Sequence, residues 1–503
     1  MDEGTTTKAQ LLAAPIILGI TADALLRALP WGLNVFIWVS LLAAFIVWAA
    51  HDKTELWAKG GVWLLLPSLL FAAGFLWRDS GTLAAADLFA LWVTASLAVF
   101  RAQGGRIFAA GLADYALGAV VASVNAVLGG PFFAIKVMPW KELVNGRGLG
   151  RALALGVGLL LALPPVIFFS VLFAKADPVF ADLLRRVFHF NFLTLLSHAF
   201  LFGFFAWTTA GLLRGLLFGK ELAWAKELRP PRISLGTIEL GVVLGAVDLI
   251  FSVFVTIQVR YFFGGAALVE ATTGLTYAEY ARRGFFELVA ASALVLPLLL
   301  GCHWLSAKNS SRDENVFRIL AGVLLALVFV VMGSALSRMR LYQAEYGMTE
   351  LRLYTTAFMG WLAVVLMWFA LTVLSGRRQR FAGGALVAGY MLVVVLHVMN
   401  PNALIAKVNT ARALSGQRFD ARYAASLGAD AVPSLVAALP DLAPADRCVL
   451  RKALLSNWSG WTPEDWRNWN ASSATARRIV RENLSMLTAL TCPDSKSPSP
   501  PKE

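Results

Sequence analysis

Val323-Leu-Leu-Ala-Leu-Val-Phe-Val330 decides the fold. No polar residue interrupts it, and no alternation marks it as a half-buried strand. The apolar run extends on both sides to about 317–336. That is the length a helix needs, since about 20 residues rising 1.5 Å each cross about 30 Å of hydrocarbon. In lipid the backbone must satisfy its own hydrogen bonds, so such a run forms a helix. Gly156-Val-Gly-Leu-Leu-Leu-Ala-Leu163 reads the same way, and the short alternating segments of a transmembrane barrel are absent from both.

The same reading along the chain gives eleven candidates: 10–28, 31–50, 61–77, 82–100, 152–174, 191–213, 236–258, 284–304, 317–336, 353–375 and 382–400. Composition agrees. The 503 residues are 58% hydrophobic and 15% charged, with a mean hydropathy of +0.66. Soluble domains run at about 45–50% apolar and about 25% charged. A disordered chain, a disulfide scaffold and an ordinary soluble enzyme are excluded. The net charge of +13 would point to nucleic acid in a soluble protein. Here it points to basic loops on one side of a bilayer, and no nucleic-acid partner is expected.

The fold class is an all-α polytopic integral membrane protein of about eleven transmembrane helices (range 10–12), with a small C-terminal α-helical soluble domain. Five regions follow. Residues 1–100 form an N-terminal four-helix membrane segment. Residues 101–151 are a basic loop with an interfacial or re-entrant helix. Residues 152–400 are a seven-helix membrane core, 401–494 a helical soluble domain and 495–503 a disordered tail. The stretch 105–135 stays open, since it carries Asp114, Asn125 and Gly129-Gly-Pro131 and also reads as a twelfth span.

Cytoplasmic loops collect Lys and Arg. With the N-terminus inside and 105–135 on that side, the inner loops hold nineteen basic residues and the outer ones ten, Arg282 and Arg283 included. The expected topology is N-inside and C-outside. The first apolar run carries Asp23 and Arg27, four apart and so on one helical face. It reads as a retained helix with a paired charge, not a cleavable signal.

After Asn400-Pro401-Asn402 the composition changes. Residues 401–503 carry thirteen Lys/Arg and nine Asp/Glu and no run of spanning length. Phe419–Leu439 reads as two short helices broken near Gly428 and Pro433, with further helices at Ala445–Asn457 and Ala474–Leu490. Cys448 and Cys492 lie in a region expected to face an oxidising compartment, which points to a disulfide. Two separate buried thiols are the alternative. Trp458, Trp461, Trp466 and Trp469 crowd together; a small core of large rings is the first reading, and docking at the membrane interface the second.

Ionisable groups near spans are costly and are functional candidates. One cluster is Thr276-Tyr-Ala-Glu-Tyr-Ala-Arg-Arg-Gly-Phe-Phe-Glu-Leu288. Glu279, Arg283 and Glu287 form an i, i+4, i+8 ladder, while Arg282 points about 100° away, free for another helix or an anionic ligand. A self-paired ladder at the headgroup level is the alternative. The second cluster is Arg338-Met-Arg340 through Arg352. Both face outward, as does Asn400–Asn409, so the three segments are expected to share a polar chamber. Tyr277 belongs to the first segment. Tyr261, in Arg260-Tyr-Phe-Phe-Gly-Gly265, is expected to line or cap the chamber on a flexible Gly pair. In the spans, Glu239 and Asp248 lie on opposite faces of one helix, Asp87 and His198 read as isolated, and His198 is expected to bond a neighbouring helix. A proton relay through Asp248, His198 and His397 is conceivable. No P-loop, G-x-S-x-G elbow, H-E-x-x-H, dinucleotide fingerprint or zinc spacing occurs, so no catalytic residue, metal or cofactor is assigned.

At these segments the chain resembles a group of bacterial multi-pass membrane proteins catalogued as domains of unknown function, the 4153/4173 group. The resemblance is carried by Tyr261-Phe-Phe-Gly-Gly265, by Leu275-Thr-Tyr-Ala-Glu-Tyr-Ala-Arg-Arg-Gly-Phe-Phe-Glu-Leu288, by Arg338-Met-Arg-Leu-Tyr342 with Tyr346-Gly-Met-Thr349 and Arg352, and by Asn400-Pro-Asn-Ala-Leu-Ile-Ala-Lys-Val-Asn409. It covers roughly 150–440. It implies a bacterial inner-membrane protein and supplies no activity. Three functional classes remain. The first is transport or handling of an anionic small molecule or envelope lipid at the outer-face arginines. The second is sensing through the C-terminal domain, which would bind a ligand or a partner. The third is a membrane enzyme using Glu279 or Glu287 as general acid or base. Transport or lipid handling ranks first and sensing second.

Overall fold

The computed structural model describes residues 3–50, 61–132, 165–166, 168–170, 172–180, 182, 192–218, 236–273, 284–306, 311–460, 465–490 and 492. Every regular element among them is helical. The longer helices are α1 (Glu3–Leu26), α2 (Leu33–Ala50), α3 (Leu65–Trp77), α4 (Gly81–Ala102), α5 (Leu112–Phe132), α6 (Phe192–Phe218), α7 (Thr237–Thr273), α8 (Phe285–Leu305), α9 (Ser311–Tyr346), α10 (Glu350–Thr372) and α11 (Phe381–Met399). Six shorter ones follow: α12 (Pro401–Leu414), α13 (Ala421–Ser426), α14 (Val432–Ala438), α15 (Pro444–Trp458), α16 (Ala471–Glu482) and α17 (Leu484–Ala489).

Among the described residues, nine helices are long and apolar enough to cross a membrane, and the shorter apolar stretches Ala13–Leu26 and Val62–Trp77 accompany them. The protein is an all-α polytopic membrane protein. Leu112–Gly129, within the stretch left open by the sequence, is one of the nine. Most of the expected span at 152–174 lies outside the described residues, as does the 495–503 tail. Pro297 sits inside α8 without ending it.

Two expected loops are helix instead. The segment from Arg338 to Tyr346 continues α9, whose 36 residues reach about 54 Å at 1.5 Å each. Arg260 to Gly265 lies within the 37-residue α7. Gly264 and Gly265 cost that helix about 1 kcal/mol each, but Ala266-Ala-Leu268 follows at once and no proline stops the chain. The Gly pair and the backbone of Tyr261 are helical; the Tyr261 side chain lies outside the described set.

The chain forms two compact units: Met1–Leu69, Val93–Gly104 and Gly118–Glu221 in one, Leu70–Trp92, Gly105–Leu117 and Leu222–Glu503 in the other. In the first, α1 packs on α6. Asp23 accepts a hydrogen bond from Arg27 at 2.7 Å, as the i, i+4 spacing requires. His198 Nδ1 lies 2.5 Å from Asp23 Oδ2, and Arg27 also donates to Ser197 at 2.9 Å. His198 is thus a helix–helix partner and not an isolated group.

In the second unit, α7 to α10 pack around Leu244, Leu299, Leu324 and Phe369. A second core joins Leu83, Leu353 and Leu396, at the ends of α4, α10 and α11, to Ile405, Leu435, Leu450 and Val480 of the C-terminal helices. The C-terminal helices are therefore seated on span ends. The chain breaks at Gly428 as expected, but Pro433 lies at the start of α14, where its fixed φ suits a first turn. Cys448 and Cys492 are joined in a disulfide with Cα atoms 5.6 Å apart. Trp458 packs against the second core, whereas Trp466 and Trp469 are 59% and 43% exposed. The reading of a shared core of large rings fails for these two.

Candidate functional site

The site is built on the ends of α9, α10 and α11 that face the C-terminal helices. Gly347, with φ +75°, turns the chain between α9 and α10. A side chain there would meet Asn409 Oδ1 at 2.8 Å, so the position calls for glycine on two counts. Asn409 fixes the turn from α12. Its Oδ1 accepts from Met348 N, and its Nδ2 donates to Met348 O, each at 2.8 Å. Arg412 adds bonds to the carbonyls of Ala344 and Glu345. Tyr423 accepts from Glu350 N at 2.8 Å, and burial pushes its phenol up from the usual value. Two of the three polar segments chosen from charge therefore meet. Of the third, 276–288, residues 276–283 lie outside the described residues, and with them Tyr277, Glu279, Arg282 and Arg283.

The remaining candidates part company. Arg338 is buried and donates to Gln258 Oε1 of α7 at 2.8 Å, where Ser334 also bonds. Arg352 donates to Gly347 O, and its guanidinium lies 3.9 Å from the ring centre of Tyr342. Both hold the α9 end and its turn in place. Glu287 is exposed in the first turn of α8. Only Arg340, which is exposed, lines the groove between α9 and α10.

That groove encloses about 440 Å³. Phe329, Met332, Leu336, Met339, Met359 and Ala363 wall it, with Gly333 and Gly360 among them and Arg340, Gln343 and Thr356 as its polar groups. Nothing lies within 4 Å of where a Cβ on Gly333 or Gly360 would stand. These two glycines open the groove. From Arg340 to Phe329 is eleven residues, about 16 Å along a helix, or half the hydrocarbon thickness. The arrangement is amphipathic along its length: the Arg340 guanidinium at the end of the span, then methionine and phenylalanine.

A second polar cluster was not visible as a unit in the sequence. Asp87, 1% exposed, and His397, 6% exposed, meet with Oδ2 and Nε2 3.1 Å apart. Arg78 donates through Nε to His397 O at 2.8 Å and through Nη1 to Asp430 at 3.1 Å. Asp430 also accepts from Asp79 N, Asn400 Nδ2 and Ser472 Oγ. Asp87 is therefore not isolated, and neither His198 nor His397 is paired with Asp248. Both oxygens of Asp248 lack a hydrogen-bond partner among the described residues. The signal available was Trp77-Arg-Asp79 directly after a span, facing a histidine two residues before another span's end. No group of three or more possible metal ligands occurs among the described residues.

A family model described as Domain of unknown function (DUF4153) matches residues 65–438. The chain belongs to this family. No curated protein and no solved structure matches it. The DUF4153 match begins at the first turn of α3 and ends at the close of α14. It contains the groove, Asn409, and every member of the Asp430 cluster except Ser472.

Proposed function

We propose that this DUF4153 protein binds an anionic membrane lipid at the α9–α10 groove, as part of transporting or handling an envelope lipid. The observation that carries this reading is the groove itself. The exposed Arg340 stands where an apolar channel meets the end of the span. A planar guanidinium holds a phosphate or carboxylate headgroup, and an acyl chain lies along Met332, Met359 and Phe329. Gly333 and Gly360 leave the width a chain needs.

We place the protein in a bacterial inner membrane with the C-terminal helices extracytoplasmic. A disulfide among those helices supports that orientation, since disulfides persist in oxidising compartments. The test is lipid binding by the purified full chain in nanodiscs, read by native mass spectrometry. Phosphatidylglycerol should outcompete phosphatidylcholine, and Arg340→Ala should abolish that preference. Gly360→Leu should reduce retention of both lipids. Equal binding of the two lipids by the wild type would refute the reading.

A sensory role is the second reading, and one observation favours it. Asp430 of the C-terminal helices is bonded directly to Arg78 and Asp79 at the end of α3, so a ligand or partner on those helices has a polar route to the spans.

A further inference from the structure

We infer that Asp87 and His397 form a proton-binding site, one proton shared by the Asp87 carboxyl and the His397 imidazole, with Arg78 passing its occupancy to the C-terminal helices. The argument begins at the other ring nitrogen. His397 Nδ1 lies 2.9 Å from Val393 O. A carbonyl only accepts, so Nδ1 carries the hydrogen. A neutral imidazole has one N–H, which leaves Nε2 bare. An ionised carboxylate is also an acceptor only. The two atoms lie 3.1 Å apart without the alignment of a hydrogen bond, and two bare lone-pair centres repel at that distance in a buried site. A proton on one partner removes the repulsion: either Asp87 is a neutral acid, or His397 is an imidazolium beside the carboxylate. Both forms contain the same single proton.

The surroundings favour retaining it. Neither Asp87 Oδ1 nor His397 Nε2 has an aligned hydrogen-bond partner among the described residues. Deprotonation would leave a carboxylate 1% exposed with one oxygen unbonded and the other against a lone pair. Burying an uncompensated charge costs several kcal/mol. The site is also closed on the α3 side. A Cβ on Gly74 would stand 2.3 Å from Asp87 Oδ2 and 2.7 Å from His397 Nε2, so the helix backbone itself forms the wall.

The charged and titratable groups facing the pair come from each element around it. From α3 and its C-terminal end come Trp77, with its ring centre 6.3 Å from the imidazole, and Arg78 on the His397 carbonyl. From α10 comes Tyr354, bonded to Ser80 at 3.3 Å. Beyond Arg78 stand Asp430 and Asp79, the latter accepting from Ala429 N at 3.0 Å. Arg78 is thus shared between the histidine's helix and the acid of the C-terminal helices. When the proton leaves for solvent, a bare carboxylate appears behind His397. Arg78 is drawn toward it, and Asp430 loses its cation.

Two measurements on the full chain in lipid nanodiscs test this, neither of which depends on the lipid-binding reading. The first is nitrogen-15 NMR of histidine-labelled protein near neutral pH, with His397 assigned among the five histidines through His397→Gln. The expected result is a protonated Nδ1, with Nε2 either protonated or accepting a strong hydrogen bond. A neutral ring with Nδ1 bare and Nε2 protonated would overturn the proposal. The second is hydrogen exchange at 428–432, corrected for the intrinsic base-catalysed rate. Wild-type protection should fall about tenfold as alkaline pH removes the proton, a coupling of ordinary size. Asp87→Asn has no such proton to lose, and its protection should not change over that range. The same pH dependence in both proteins, or none in the wild type, would overturn it. Should Asp87→Asn fail to fold, the NMR result on the wild type still decides.

Discussion

Arg78 and Asp430 are 352 residues apart in the chain and meet at 3.1 Å, their side chains 12% and 3% exposed. The guanidinium is also bonded to the His397 carbonyl and lies 4.4 Å from the Trp77 ring centre. It is the clasp between the end of α3 and the C-terminal helices.

Removing the cation leaves a buried acid. Arg78→Ala should destabilise the protein by about 3–5 kcal/mol, the range for breaking a buried pair from one side. Asp430→Asn in that background should recover part of the loss, because three neutral donors to position 430 remain. Arg78→Lys should behave more like the alanine variant than like the wild type, since one ammonium lacks the planar fork that reaches both acceptors. Equilibrium unfolding in detergent, run as a double-mutant cycle, checks all three. Additive losses would show that the pair is not coupled.

Gly74 and Gly81 make a second comparison, three residues past α3's midpoint and at the start of α4. A methyl group at Gly74 would stand 2.3 Å from Asp87 Oδ2, while nothing lies within 4 Å of one at Gly81. Gly74→Ala should cost about 1–3 kcal/mol or more through overpacking. Gly81→Ala should be neutral, or stabilising by up to about 1 kcal/mol through the unfolded chain's lost freedom. Thermal unfolding of the two variants in parallel checks this, and equal behaviour would mean that α3 is not held against the pair.

The difference between these glycines could not be read in the sequence, and the reason is general. Spans such as 317–336 were legible because the bilayer imposes a length and an apolar composition that any single segment displays alone. The Asp23–Arg27 pair was legible because four residues of helix bring the two together. Asp87 and His397 are 310 residues apart, and each looks like a solitary polar group until tertiary packing joins them. The arginines show the converse error. Charge placed Arg338, Arg340 and Arg352 in one chamber, yet on a continuous helix Arg338 turns to Gln258 while Arg340 turns to the groove. The aromatic Arg260–Gly265 stretch was read as a loop from its glycines, where helix continuity prevailed.

Asp465 offers a test by pH. The Arg467 guanidinium bonded to it holds its carboxyl below the usual range. A depressed folded value stabilises above the unfolded value and is lost as pH falls through the folded one. Wild type should therefore exceed Asp465→Asn in stability at neutral pH, with the gap closing in acid. The pair is solvent-facing, so the gap should be small and should shrink in high salt. A gap that widens in acid would contradict the pairing.

The disulfide closes a loop across 44 residues of sequence, joining α15 to the residues after α17. Chain-entropy arguments give about 4 kcal/mol for a loop of this length, with native strain and residual structure lowering what is observed. Cys448→Ala should therefore lower the stability of the C-terminal helices by about 2–4 kcal/mol. Arg451 holds the same segment independently of the bond, donating to Leu487 O at 2.6 Å and reaching Cys492 Sγ at 3.7 Å. The loss should be matched by reductant in the wild type and absent on adding reductant to the variant. The same bond reports orientation. In intact cells, thiol labelling without reductant should find neither cysteine, and a phosphatase fused after Glu503 should be active. An inactive phosphatase with a fluorescent cytoplasmic reporter at that position would put the C-terminal helices on the reducing side, where the bond would not persist.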